Sequence, residues 1–217
     1  MRIVVTAGPT REPIDPVRFL SNRSSGKMGY AIAEAAIEAG HEVMLISGPV
    51  NLRAPENVHF ESVETSEQMY EAVHGAIRAC DIFVMCAAVS DYKPASYSRD
   101  KIKKRADMFS LELMPTRDIL TTVADQDRSF LVVGFAAETE NIAANARKKL
   151  REKKCDAIVA NDVSRANTGM ESDENEVTIF LQNGEEKKIS RAPKKIIARE
   201  LIKIISEMRE KRLTKKT

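Results

Sequence analysis

Short β-branched runs alternate along the chain with segments whose apolar residues recur at helical spacing. "RIVVTA" (2–7), "EVMLISG" (42–48) and "VHFESV" (58–63) read as strands. "CDIFVMCAAV" (80–89) and "FLVVGFAAE" (130–138) are unbroken apolar runs, as expected of strands covered on both faces. Between them, 26–40, 66–79, 116–126 and 141–155 carry the helical period, with Gly40 as a stop and Ser66 and Thr116 as candidate caps. "SLELMP" (110–115) and "DAIVAN" (156–161) are further short strands. The alternating run 175–190, with Asn183-Gly184 at its turn, is a hairpin. Residues 192–211 form a closing helix with Pro193 in its first turn, and the basic tail 209–217 reads as a frayed, solvated end.

Strands separated by helices of about a dozen residues predict an α/β fold with a doubly wound, mainly parallel sheet and a C-terminal hairpin extension. The 217 residues suit one domain, with the 164–190 loop and hairpin as a lid or dimerisation appendage. Ligands of such sheets bind at the carboxyl ends of the strands, so candidate chemistry lies in the loops that follow them.

The first of these loops is the most informative. "GPTREPIDPVRFLSNRSSGKMG" (8–29) puts Ser24, Ser25 and Gly26 at a helix N-terminus, where free N–H groups and the dipole favour an anion. Gly26 allows phosphate near the backbone, and Gly29 allows the helix near the sheet. A merely structural connection does not need some 18 residues with Arg11, Arg18 and Arg23. The loop is not a Walker A sequence, because Ser21 and Met28 stand where Gly and Ser or Thr are required. It also lacks the paired glycines of a dinucleotide fingerprint, and "VMLISG" ends without an acid for a ribose.

Charge is abundant but balanced, 34 Lys+Arg against 32 Asp+Glu, which argues against a nucleic-acid binder. Cys80, Cys86 and Cys155 form no CxxC pair and read as reduced, buried thiols; the three histidines have no metal-ligand spacing. No apolar run reaches the ~18–20 residues of a membrane span, and no signal peptide precedes the first strand, so a cytoplasmic protein is expected. Two lysine groups remain. "KIKKR" (101–105) is ordinarily a solvated face, whereas Lys149 and Lys153 share a helix face and repel by a few tenths of a kcal/mol unless an anion relieves them. Asp91 suits a magnesium ion, a ribose or a base amino group. With no GxSxG or metal box, positioning and charge neutralisation are the catalytic means, which suits phosphoryl or nucleotidyl transfer.

Five motifs in order, "GPTREPIDPVRFLSNRSSGKMG", "CAAVSDYKP", "KIKK", "VGFAAET" and "IVANDVS", resemble the phosphopantothenoylcysteine synthetase family of coenzyme A biosynthesis, from Met1 to about Asn183. The resemblance implies a Rossmann-like homodimer. In its reaction 4′-phosphopantothenate attacks CTP, accompanied by Mg2+, to give an acyl-cytidylate, and L-cysteine then takes the acyl group. It implies that Asn22 polarises the acyl carbonyl, that Arg18 lies near the intermediate, and that Lys101 serves nucleotidyl transfer. Ser24, Ser25, Gly26 and Lys27 would cradle the triphosphate. Met85, Cys86, Ala87, Asp91, Arg117, Asp118, Ile119, Leu120, Phe135, Lys149 and Lys153 would form the cytidine site. Arg117 departs from the proline of many members. Phosphopantothenoylcysteine decarboxylase is the expected fused or separate partner, with no flavin in this chain. The alternatives are the same reaction with ATP, an NADP-dependent reductase, and a non-catalytic nucleotide sensor.

Overall fold

A computed structural model describes residues 1–104, 107–162 and 172–214. Eight strands make one sheet: β1 (Arg2–Ala7), β4 (Glu42–Ser47), β5 (His59–Ser62), β6 (Ile82–Met85), β9 (Leu131–Glu138), β10 (Ala157–Asp162), β11 (Glu174–Leu181) and β12 (Glu186–Pro193). Their spatial order is β12-β11-β10-β9-β6-β1-β4-β5. The six strands from β5 to β10 are parallel, and β11 and β12 extend them as an antiparallel edge. The winding therefore reverses between β1 and β6, where doubly wound sheets open a crevice.

Alternation along the strands sorts the core into two layers. Ile3, Val5, Ile82, Val84, Leu131 and Val133 face helices α1 (Lys27–Glu38) and α5 (Lys194–Thr214). Val4, Phe83, Val132 and Ile158 face α2 (Ser66–Ala76), α3 (Ile119–Ala124) and α4 (Ile142–Glu152). Two small hairpins leave the sheet: β2 (Arg11–Pro13) pairs with β3 (Phe19–Ser21), and β7 (Tyr92–Pro94) pairs with β8 (Leu113–Pro115). Both lie inside stretches expected as loop or as a lone strand, because three-residue strands leave almost no periodicity to read.

Several boundaries differ from expectation for identifiable reasons. Thr65, not Ser66, caps α2: its hydroxyl accepts the Gln68 N–H while Gln68 returns a bond to the Thr65 N–H. The Ser66 N–H instead goes to the buried Glu12 carboxylate at 2.8 Å. Asp118 rather than Thr116 caps α3, accepting the Thr121 N–H at 2.9 Å; the Thr116 hydroxyl donates to the Ser90 carbonyl at 2.6 Å. The C-terminal basic stretch is not frayed as far as Thr214. Arg209 donates to Asp81 at 2.9 Å and to the Ser129 carbonyl, and Arg212 pairs with Asp156 at 3.0 Å, clamping α5 to the amino ends of the central strands. Residues 164–171 of the expected lid and Arg105 of the lysine run lie outside the described residues. Cys80, Cys86 and Cys155 are free thiols.

Candidate active site

A cleft of about 580 Å³ opens at the carboxyl ends of β1, β6 and β9. Its size falls within the ~300–1,000 Å³ of small-molecule sites. The chain leaving β1 and the chain leaving β6 are laced together beneath it. The Ala88 N–H donates to the Gly8 carbonyl at 2.9 Å, the Ala87 N–H to the Thr6 hydroxyl at 3.1 Å, and the Ser90 N–H to the Thr10 hydroxyl at 3.0 Å. These bonds satisfy backbone that could not otherwise be buried, and they make a rigid floor at the switch point.

At one end of the cleft stands the N-terminus of α1. Gly26, at φ 76°, turns the chain into the helix with no side-chain cap, and the first turn holds no acidic residue. The Gly26 N–H goes to the Ser24 hydroxyl at 3.3 Å, and the helix dipole at this end favours an anion. Gly29 brings α1 against β1: a Cβ there would lie 2.6 Å from the Ala7 Cβ and 3.0 Å from the Thr6 carbonyl oxygen. Ser24, Gly26 and Lys27 line this end, and Lys27 is 2.6 Å from Asp173. Ser25 lies outside the lining.

At the other end are α3, α4 and the tip of β9. Lys149 donates to the Phe135 carbonyl at 2.7 Å, and burial pushes its pKa below the usual lysine value. Lys153 pairs with Asp118. Burial raises the Asp118 carboxyl, but the Lys153 ammonium and the Thr121 N–H outweigh it and leave the pKa below normal. The repulsive lysine pair is thus relieved partly by a carbonyl and a carboxylate of the chain itself. Arg117 pairs with Glu67 at 3.2 Å and lies over the Tyr70 ring, tying this turn to α2. Met85, Cys86, Ala87, Asp91, Arg117, Ile119, Leu120 and Phe135 complete the wall. The Cys86 thiol is pushed up to about 12 by burial, so it serves as wall rather than nucleophile.

Asn22 lies between the two ends by strand order, with its amide donating to the Ala88 carbonyl at 3.0 Å. Arg18 and Lys101 sit apart from the lining. Arg18 bonds Asp15 through Nε at 3.0 Å and Nη2 at 2.5 Å, and donates to the Ile102 carbonyl at 2.9 Å. The Ile102 N–H donates to the same Asp15 carboxylate at 3.1 Å. Asp15 is buried, and the Arg18 guanidinium holds its pKa well below the carboxylate range. Arg18 therefore joins the first loop to the segment bearing Lys101, which is itself exposed.

Sequence reasoning missed Asn161, Asn175 and Lys194 in the lining. Asn161 is the penultimate residue of β10 and obeys the carboxyl-end rule. Asn175 and Lys194 come from the antiparallel edge and the start of α5, which that rule does not reach.

Residues 1–208 match the family described as DNA/pantothenate metabolism flavoprotein C-terminal domain. The coenzyme A biosynthesis bifunctional protein CoaBC of Vibrio vulnificus (strain CMCP6) is 43% identical over 210 residues, covering 95% of this chain and 52% of that protein. CoaBC of Escherichia coli (strain K12) is 47% identical over 189 residues, covering 85% and 47% respectively. The chain thus spans about half the length of these relatives. The crystal structure of a CoaBC C-terminal domain superposes with a TM-score of 0.83 at 44% identity, covering 97% of this chain and 96% of that one. Fold, cleft and sequence agree, and the chain belongs to the DNA/pantothenate metabolism flavoprotein C-terminal domain family.

Proposed function

We propose that the chain is a ligase that joins 4′-phosphopantothenate to L-cysteine through an acyl-cytidylate, consuming CTP. The observation that carries this reading is one cleft with a helix N-terminus free of first-turn acids at one end and the Lys149–Lys153 wall at the other. Such a cleft holds the phosphates and the base of one nucleotide at once. The relatives' naming as bifunctional coenzyme A biosynthesis proteins supports the substrate class.

In the first step a carboxylate oxygen of phosphopantothenate attacks the α-phosphorus and pyrophosphate leaves. Both reactants are anions, so the chain's work is to neutralise and align them. Lys27 and the α1 N–H groups meet the phosphates, and Lys101 approaches from the 101–104 segment that Arg18 and Asp15 anchor. In the second step the cysteine amine, having lost its proton, attacks the acyl carbonyl and CMP leaves. The Asn22 amide exchanges the Ala88 carbonyl for the oxyanion of the tetrahedral adduct. Mg2+ would accompany the triphosphate and help neutralise its charge, and Asp91 of the cleft lining would be the carboxylate to help hold it. The base site at Asp118, Lys149 and Lys153 favours a pyrimidine, with ATP as the nearest variant.

The exposed apolar residues Val17, Phe19, Tyr92, Leu113 and Met114 lie on the two small hairpins and support a homodimer of this domain. The other half of the relatives is the place for a decarboxylase partner. No helix among the described residues is long and apolar enough to cross a membrane, and a cytoplasmic enzyme is proposed. The test is to supply all three substrates and quantify products. The reading expects CMP, pyrophosphate and amide in equal amounts; nucleotide hydrolysis without amide would refute it.

A further inference from the structure

Asn161 and Asn175 line the cleft at 8% and 4% exposure, and the reaction steps above use neither. Asn161 stands opposite Ala137 of β9 and Val177 of β11. It follows Val159 by two residues, and Val159 packs in the α1–α5 layer, so strand alternation puts the Asn161 side chain on that face. Asn175 is its diagonal neighbour on β11, where the β11–β12 register shifts between Asn175 and Val177. Such irregularities re-aim side chains next to sites. The Asn175 Oδ1 accepts the Glu176 N–H at 2.9 Å, which leaves the Asn175 amino group to donate elsewhere. The Asn161 amide makes no hydrogen bond among the described residues. Buried polar groups are nearly always paired, so an amide held this deep in a cleft wall without a protein partner points to a ligand.

Position decides which part of a nucleotide meets these amides. Lys149 and Lys153 come from α4, in the layer on one face of the sheet, whereas the α1 N-terminus belongs to the other. A nucleotide with its base at the lysine pair and its phosphates at α1 must cross the carboxyl end of the sheet. There β9 and β10 end side by side, with Asp162 opposite Glu138. The sugar is the part that crosses. No acid stands at Ser47-Gly48, where doubly wound sheets usually grip a ribose. Phosphate finds charged partners in the cleft's lysines, while an uncharged amide, both donor and acceptor, matches hydroxyl groups. We propose that Asn161, assisted by the Asn175 amino group, binds the ribose diol of the nucleotide and so selects ribonucleotides. This rests on the nucleotide reading proposed above.

The probe is 2′,3′-dideoxy-CTP, which lacks both hydroxyls but keeps base and charge, titrated calorimetrically into the full chain against CTP. The parent should bind CTP about tenfold more tightly, as one or two lost hydrogen bonds imply. Asn161→Leu removes the amide at similar volume. It should weaken CTP about tenfold and leave dideoxy-CTP within about twofold of the parent, so that the ratio collapses. Because the amide has no protein partner, the thermal midpoint of the empty protein should not fall. Asn161→Asp still accepts from a diol and should keep the ratio, since its repulsion of the triphosphate acts equally on both ligands. Should Asn161→Leu melt lower, Asn161→Ala takes its place in the comparison. Equal binding of CTP and dideoxy-CTP by the parent, or an undiminished ratio in the variant without the amide, would overturn the proposal. Binding of neither ligand would overturn it together with the nucleotide reading. A parent that discriminates the two ligands yet forms no amide from 4′-phosphopantothenate and cysteine would refute the ligase and uphold the diol site.

Discussion

Replacing Gly29 and Gly75 by alanine, one at a time, asks whether α1 is held against β1 as closely as the cleft requires. Both glycines lie within helices, and alanine in a helix interior is intrinsically favoured by about 1 kcal/mol. A Cβ at Gly75 meets nothing within 4 Å, so Gly75→Ala should gain most of that. At Gly29 the new Cβ would sit 2.6 Å from the Ala7 Cβ, about 0.8 Å short of an ordinary 3.4 Å contact, with the Ala7 Cα and the Thr6 carbonyl at 3.0 Å. These are backbone-fixed atoms of a central strand, so α1 must move. Overpacking of this kind costs about 1–3 kcal/mol; contact with backbone-fixed atoms puts it at about 2–3 kcal/mol, so against the helical gain of about 1 kcal/mol a net loss of about 1–2 kcal/mol is expected. At about 2–4 °C per kcal/mol for a domain of this size, Gly29→Ala should melt about 2–8 °C lower, and Gly75→Ala about 1–4 °C higher. Differential scanning calorimetry reads both. Because the moving end of α1 is the proposed phosphate seat, Gly29→Ala should also weaken tripolyphosphate more than CMP. A Gly29→Ala midpoint raised like that of Gly75→Ala would refute the close packing and the reason given for that glycine.

Asn22→Asp should still release pyrophosphate but form amide about 10²–10³ times more slowly, since one preorganised donor is worth that much; amide at the parental rate would remove Asn22 from its role. Lys101→Gln should fail earlier, with pyrophosphate release itself suppressed, and normal release would count against the lysine. Asp15→Asn tests the junction between the first loop and the 101–104 segment through pH. The Asp15 pKa is depressed in the fold, so its stabilisation is complete above the unfolded value of about 3.9 and fades as pH falls below it. The melting difference between parent and variant should be full at pH 6 and shrink towards pH 3; a constant difference would contradict the pairing.

The sheet could be read from sequence because its central strands β1, β6 and β9 are largely buried and its helices are long enough to show their period. The loops after β1 and β6 and the carboxyl half of β9 do surround one cleft, as Gly26, Ala87 and Phe135 show. What escaped was decided by contacts distant in sequence. Thr65 and Ser66 are equally plausible caps until Glu12 takes the Ser66 N–H. Arg209 and Arg212 look like a solvated tail until Asp81 and Asp156 appear beneath them. Lys194 looks like one more surface lysine on an amphipathic helix, and only the antiparallel edge of the sheet brings it to Lys27. The role of Arg18 as a strut between loops, rather than as cleft lining, likewise depends on Asp15 and Ile102 meeting in space.

The central claim is that this cleft activates a carboxylate by nucleotidyl transfer. Pyrophosphate release, measured with CTP and Mg2+ in the absence of cysteine, tests it most directly. Release should appear only when 4′-phosphopantothenate is added, should be faster with CTP than with ATP, and should stop near one equivalent per site until cysteine is supplied. No acid-dependent release with any nucleotide would contradict the account.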